Sequence, residues 1–143
     1  MYELTTSHTF DAAHRIRGHP GKCAYLHGHT YQIDVTVSAE RLNPLGMVMD
    51  FDDVHDVVRK AVLEQWDHAT LLDPEDPLGP AIERVQAEAP DRVVRLPGRP
   101  TVELMTREAW AAIERQLPRG VELERVAIRE TPTCGSAISR HRR

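Results

Sequence analysis

The segment Thr30 to Glu40 alternates. Tyr31, Ile33, Val35 and Val37 fall on one parity; Thr30, Gln32, Asp34 and Thr36 fall on the other. A half-buried antiparallel β-strand satisfies that pattern. His27 and His29 continue the apolar parity, with Gly28 between them. Residues two apart on an extended chain point to the same side, about 6.5–7 Å apart along the backbone. Two imidazoles therefore project together from the end of the apolar face, where each needs a partner. They can converge on one metal ion or bond as core histidines, and the spacing leaves both open. Gly28 lets other groups approach closely.

The other elements are read around that strand. Tyr2, Leu4, Thr6, His8 and Phe10 share a parity and predict a first strand, followed by a loop over 11–26 with Gly18, Pro20 and Gly21. Asn43-Pro44-Leu45-Gly46 is a turn. Asp52 is placed to cap a helix running to about Trp66, with Val54, Val57, Val58, Ala61, Val62 and Trp66 on one stripe. Residues 73–100 hold six of the ten prolines and predict an irregular excursion, with a short helix after Pro80 and a short strand at Arg92–Leu96. Thr101 caps a second helix with the stripe Val102, Met105, Ala109, Ala112, Ile113 and Leu117, stopped by Pro118-Arg119-Gly120. Val126, Ile128 and Glu130 share one face of a third strand, and Ala137 to His141 read as a fourth. Helices grouped between strand pairs predict an α+β layer, with the helices on one face of an antiparallel sheet.

Composition sets the outer limits. A chain of 143 residues has the length of one domain, and 1–143 is read as such. The net charge of −4 excludes a general nucleic-acid binder. Two cysteines cannot build a disulfide framework. The start has neither a basic segment nor an apolar run, and no stretch reaches the roughly 20 apolar residues of a membrane helix. A soluble cytoplasmic protein with reduced thiols is expected. The eight histidines stand out; they do not form a run, so metal binding or proton transfer is their usual purpose.

A metal needs a third ligand. His14, in Phe10-Asp-Ala-Ala-His14, reaches the same site if the first two strands pair. Three histidines and an open position describe catalytic zinc. Cys23 is the rival fourth ligand, which would close the site, and spacing does not decide its role. Asp67-His68 ends the first helix as a carboxylate beside a histidine it can orient. Alone, such a pair is more often helix-end decoration. Glu130 lies on an apolar parity, where a carboxylate is costly unless paired; it can bind a guanidine-like edge, or turn to water at the strand end. Glu103 is an ordinary first-turn Glu in its own right. His8, His19, His55 and His141 receive no role.

Six pieces then fall together: Phe10-Asp-Ala-Ala-His14, Cys23-x-x-x-His27-Gly-His29, Gly46-Met-Val-Met-Asp50-Phe51, Asp67-His68, Pro100-Thr101-Val-Glu103 and Arg129-Glu130-Thr131. In this order they resemble the 6-pyruvoyltetrahydropterin synthase / 6-carboxytetrahydropterin synthase family over nearly the whole chain. The resemblance implies a tunnelling fold: a four-stranded antiparallel sheet with two helices on one face, subunits joining into a barrel as a trimer or hexamer. It implies zinc on His14, His27 and His29, with Cys23 as catalytic thiol and Asp67 and His68 as its proton-relay partners. Glu130 would anchor the pterin, Thr101 and Glu103 would line the pocket, and the active sites would form between subunits. Two stretches depart from the pattern: 73–100 is longer than the link in compact bacterial members, and Pro132 to Ala137 matches loosely.

The implied substrate is 7,8-dihydroneopterin triphosphate. The carboxy branch, toward queuosine and related deazapurines, cleaves the side chain and releases acetaldehyde as well as triphosphate. It is favoured here on the short Cys-x-x-x-His-Gly-His form; the pyruvoyl branch keeps the side chain. A non-catalytic, zinc-stabilised module or a pterin- or purine-binding oligomer is the reading from another class. Arg15, Lys22, Arg129 and Arg140 are the candidates to meet the triphosphate.

Overall fold

A computed structural model describes residues 1–141. Its centre is a long hairpin: β1 (Tyr2–His14) runs antiparallel to β2 (His27–Ala39), from Tyr2 opposite Ala39 to His14 opposite His27. The second strand of that hairpin also pairs with β5 (Glu122–Thr131), which turns into β6 (Cys134–Ser139). These four strands are antiparallel, as expected. The sheet is larger, however. Two short strands, β3 (Ala69–Leu72) and β4 (Val93–Arg95), add in parallel beside β1. The result is a six-stranded mixed sheet in the order β4-β3-β1-β2-β5-β6, which corrects the four-stranded antiparallel reading. The four residues Ala69-Thr70-Leu71-Leu72 are mostly buried, so they show no polar alternation by which a strand is recognised.

The first strand is also longer than its pattern. Residues 11–14, read as loop, pair with Thr30 to His27. Two alanines have little intrinsic strand preference, and cross-strand pairing overrides it. This extension carries His14 to the level of His27.

Asp50, not Asp52, caps the first helix: its side chain accepts from the Asp52 amide at 2.8 Å. The helix α1 (Phe51–Val58) continues through a π-helical stretch (Arg59–Leu63) into α2 (Glu64–Trp66). Within 73–100, α3 (Leu78–Val85) begins two residues before Pro80, where a first-turn proline loses no helical hydrogen bond. Thr101 caps α4 (Val102–Glu114) as expected, its hydroxyl accepting from the Leu104 amide at 3.2 Å.

Both long helical stretches cover one face of the sheet. Val54, Val58, Val62 and Trp66, with Met105, Ala109 and Ile113, bury Phe10, Tyr31, Ile33, Val35, Leu123, Val126 and Ile128. Each large apolar side chain so buried contributes roughly 1.5–3 kcal/mol. The opposite face carries polar pairs such as Thr5 with Thr36. Among the described residues no helix is long and apolar enough to cross a membrane.

Candidate metal centre and active site

The register of the central hairpin sets His14 directly opposite His27, with His29 two residues further along β2. Their potential ligand atoms lie within 4.8 Å of one another. The backbone orients two of the rings. His14 Nδ1 is 2.8 Å from the Pro100 carbonyl, and His27 Nδ1 is 2.7 Å from the Tyr25 carbonyl. A carbonyl only accepts, so both Nδ1 atoms carry a proton, and a neutral ring so held presents its lone pair at Nε2. Those two Nε2 atoms face each other at 3.1 Å. Two lone pairs so aimed repel unless a proton or a metal ion lies between them. Burial is the largest influence on His14 and lowers its pKa to about 4, so this ring is neutral near pH 7. Burial also lowers His29, against the pull of Glu130. A neutral imidazole fixed by a hydrogen bond at its far nitrogen, as His14 is, is the form that ligates a metal. The donor set fits zinc.

Tyr31 supports this cluster. Its ring meets His14 and His29 edge-on and stacks on Phe10. Its hydroxyl is buried with no hydrogen-bond partner among the described residues.

The histidines open into a cleft of about 530 Å³. Cys23, Thr101, Glu103 and Glu130 line it with them, so the structure brings these predicted residues together. Cys23 sits on a 3₁₀ turn (Lys22–Ala24), half-buried and as a free thiol. It stands outside the cluster of close ligand atoms. Glu130 is inward as its parity predicts, its carboxylate 3.8 Å from His14 Nε2. Ile16, His19 and Val102 also line the cleft. In the sequence Ile16 and His19 carry no role and Val102 falls on the apolar stripe of its helix; their only signal for the cleft is nearness to Cys23 and Thr101.

The four cations considered for triphosphate now separate. Arg15 is bound through both guanidinium ends by Asp76. Arg129 meets Asp34 at 3.4 Å, and Arg140 meets Glu114 at 3.0 Å. Lys22 lines the cleft.

Asp67 and His68 are elsewhere. His68 faces a second, open depression with Asp11, Gly28, His29 and Thr30 among its walls. Its ring is 76% exposed, with Nδ1 3.0 Å from Asp67. The Asp11 amide, then His68, hold the Asp67 carboxyl below its ordinary range, so it stays ionised. His68 has φ of 59°, the left-handed region that costs a non-glycine residue roughly 1 kcal/mol. Within one chain this pair does not line the three-histidine cleft.

The profile of the 6-pyruvoyl tetrahydropterin synthase family matches residues 3–141. The 6-carboxy-5,6,7,8-tetrahydropterin synthase of Rickettsia felis is 33% identical over 137 residues, covering 94% of this chain and 97% of that protein. The protein of the same name from Haemophilus influenzae is 29% identical, covering 93% and 95%. An uncharacterized protein from Wolinella succinogenes superposes with a TM-score of 0.82 at 22% identity, covering 98% of each chain. The Caenorhabditis elegans 6-pyruvoyl tetrahydropterin synthase gives 0.69 at 21%, covering 98% and 96%.

Proposed function

The chain belongs to the 6-pyruvoyl tetrahydropterin synthase family, and on that premise we propose that it converts 7,8-dihydroneopterin triphosphate and one water to 6-carboxy-5,6,7,8-tetrahydropterin, acetaldehyde and triphosphate. The observation that carries this reading is one cleft holding three converging histidines, a free thiol and an inward carboxylate. The names of the relatives favour the carboxy product over the pyruvoyl one.

Zinc would be held by His14, His27 and His29, and when bound it supplies a Lewis acid toward the side-chain oxygens of the substrate. Glu130 binds the adjacent nitrogens of the pterin, a bidentate match for a carboxylate. Thr101 and Glu103 form the wall at the start of α4. Cys23, as thiolate, takes the proton from the side-chain carbon next to the hydroxyl. His68, oriented by Asp67, exchanges protons on the other side of the substrate, and triphosphate departs toward Lys22. Water then adds to the side-chain carbonyl next to the ring, the bond between the two side-chain carbonyl carbons breaks, and the departing two-carbon unit takes a proton and leaves as acetaldehyde, with the carboxyl group left on the ring. Because Asp67 and His68 lie outside the cleft of their own chain, they serve the cleft of a neighbouring copy. The working unit is then a homo-oligomer, a trimer or hexamer closing the sheets into a barrel. The enzyme acts in the cytoplasm, and its product enters the queuosine and deazapurine route.

Mass spectrometry of the products tests the assignment. 6-Carboxytetrahydropterin with acetaldehyde is expected; 6-pyruvoyltetrahydropterin alone would move the chain to the other branch. Metal analysis separates the roles. Cys23→Ala should keep zinc and lose turnover, whereas His27→Ala should lose both. Zinc loss in Cys23→Ala would make the thiol a ligand. Metal removal should stop turnover while the fold persists; unfolding instead would mark a structural, non-catalytic site.

A further inference from the structure

The Asp67–His68 turn is fastened from two sides. On one side is β1: the Asp11 amide donates to Asp67 Oδ1 at 2.9 Å, and the His68 amide donates to the Asp11 carbonyl at 2.6 Å. On the other side is the 73–100 segment. Its 3₁₀ turn (Pro90–Arg92) ends on Arg92, whose guanidinium reaches back to the end of the helix that precedes His68. Arg92 Nη1 donates to the Asp67 carbonyl at 3.0 Å, and Nη2 donates to the Glu64 carbonyl at 3.3 Å. Helix C-terminal carbonyls lack intrahelical donors, and a cation there is favoured by the helix dipole. The guanidinium is half-buried and is itself held by Asp91 at 3.1 Å.

The location of this clamp gives it a use. Asp67 is extended and the next residue is left-handed, so the chain reverses sharply between the helix and β3. Histidine tolerates that conformation at a cost, and it persists only when its surroundings over-determine it. A fixed Asp67 carbonyl fixes the peptide plane that leads into His68. We propose that Arg92 is a positioning residue for the Asp67–His68 pair, holding the turn that aims His68. This rests on the reading of that pair as the proton relay. It also gives the proline-rich excursion a role: at its far end, the Pro100 carbonyl orients His14. One segment thus steadies both halves of the site.

The test is turnover of 7,8-dihydroneopterin triphosphate by Arg92→Ala, His68→Ala and the double variant, with zinc content measured throughout. Arg92→Ala should lower kcat about tenfold, the scale of a modest misplacement of a catalytic group. KM and zinc content should stay unchanged. Added guanidinium ion should restore part of the rate, and Arg92→Lys, reaching one carbonyl at a time, should fall between. In the His68→Ala background the Arg92 change should add nothing. Arg95→Ala, which breaks an ion pair with Glu83 within the same segment, should behave as the parent. Full activity in Arg92→Ala beside a His68→Ala that keeps only a small, measurable residual rate overturns the proposal and leaves the relay standing. Independent, additive losses overturn it as well. Full activity in His68→Ala removes the relay reading itself. Should Arg92→Ala fail to fold, Arg92→Lys carries the same comparison.

Discussion

His14 and His27 sit with their Nε2 atoms 3.1 Å apart because two carbonyls, Pro100 and Tyr25, take the protons of the opposite nitrogens. The convergence was legible in the sequence: strand parity aligns His27 with His29, and strand pairing delivers His14. The carbonyls were not, since any residue type supplies one and their placement depends on loops. Glu130 was legible for the reverse reason, as a carboxylate where an apolar side chain belonged. Tyr31 gave no such signal. It reads as a core residue by parity and is one, yet its buried hydroxyl has no partner among the described residues. A buried unsatisfied hydroxyl costs free energy that a phenylalanine avoids. Tyr31→Phe should therefore be neutral or stabilising by up to about 1 kcal/mol in urea unfolding. A clear loss of stability would show that the hydroxyl holds a bond in solution.

Short parallel strands and ion pairs attach the 73–100 excursion to the sheet, where its composition suggested irregular chain. The prolines hid the order. Pro80 occupies a first helical turn and Pro90 opens a 3₁₀ turn, both places where a missing amide is harmless. Asp73 and Asp76 are both buried. Asp76 binds Arg15 at both ends, and Asp73 binds Arg17 at 2.9 and 3.0 Å, so the excursion is fastened to the chain just after β1. No spacing rule predicts pairs about sixty residues apart. Arg15, followed by the Leu78 amide, holds the Asp76 carboxyl below its ordinary value of 3.8. A carboxyl depressed in the folded state contributes stability that is fully present above its unfolded pKa and is lost as pH falls through the folded one. Asp76→Asn should thus cost about 2 kcal/mol at pH 7, the scale of hydrogen bonds to a charged group. The gap between variant and parent should narrow in urea titrations as pH falls below the unfolded value and on through the lower folded one. A pH-independent gap would assign the cost to packing rather than to charge.

At the scale of the molecule, the two halves of the proposed machinery open into different depressions of one chain. Cys23 and the three histidines share a cleft, while His68, just before β3, projects into a separate open depression that His29 also borders. Sequence shows which residues carry chemistry but not which copy supplies them, because periodicity stops at the chain's own core. Exposed apolar side chains lie beside the cleft: Tyr25 and Leu26 follow Cys23. If a neighbour supplies the relay, two dead variants should rescue each other. Cys23→Ala subunits still offer His68, and His68→Ala subunits still offer Cys23. When the two are unfolded together and reassembled one to one, a site is intact only if each donor is of the right kind. Random mixing in a closed homo-oligomer makes that about a quarter of all sites. Activity of roughly a quarter of the parent is expected, from two preparations that are inactive alone. If thiol and relay come from one chain, no mixed site is complete and the reassembled protein stays inactive. Size-exclusion of the mixture confirms that mixed oligomers have formed, so silence in the assay then counts against a shared site.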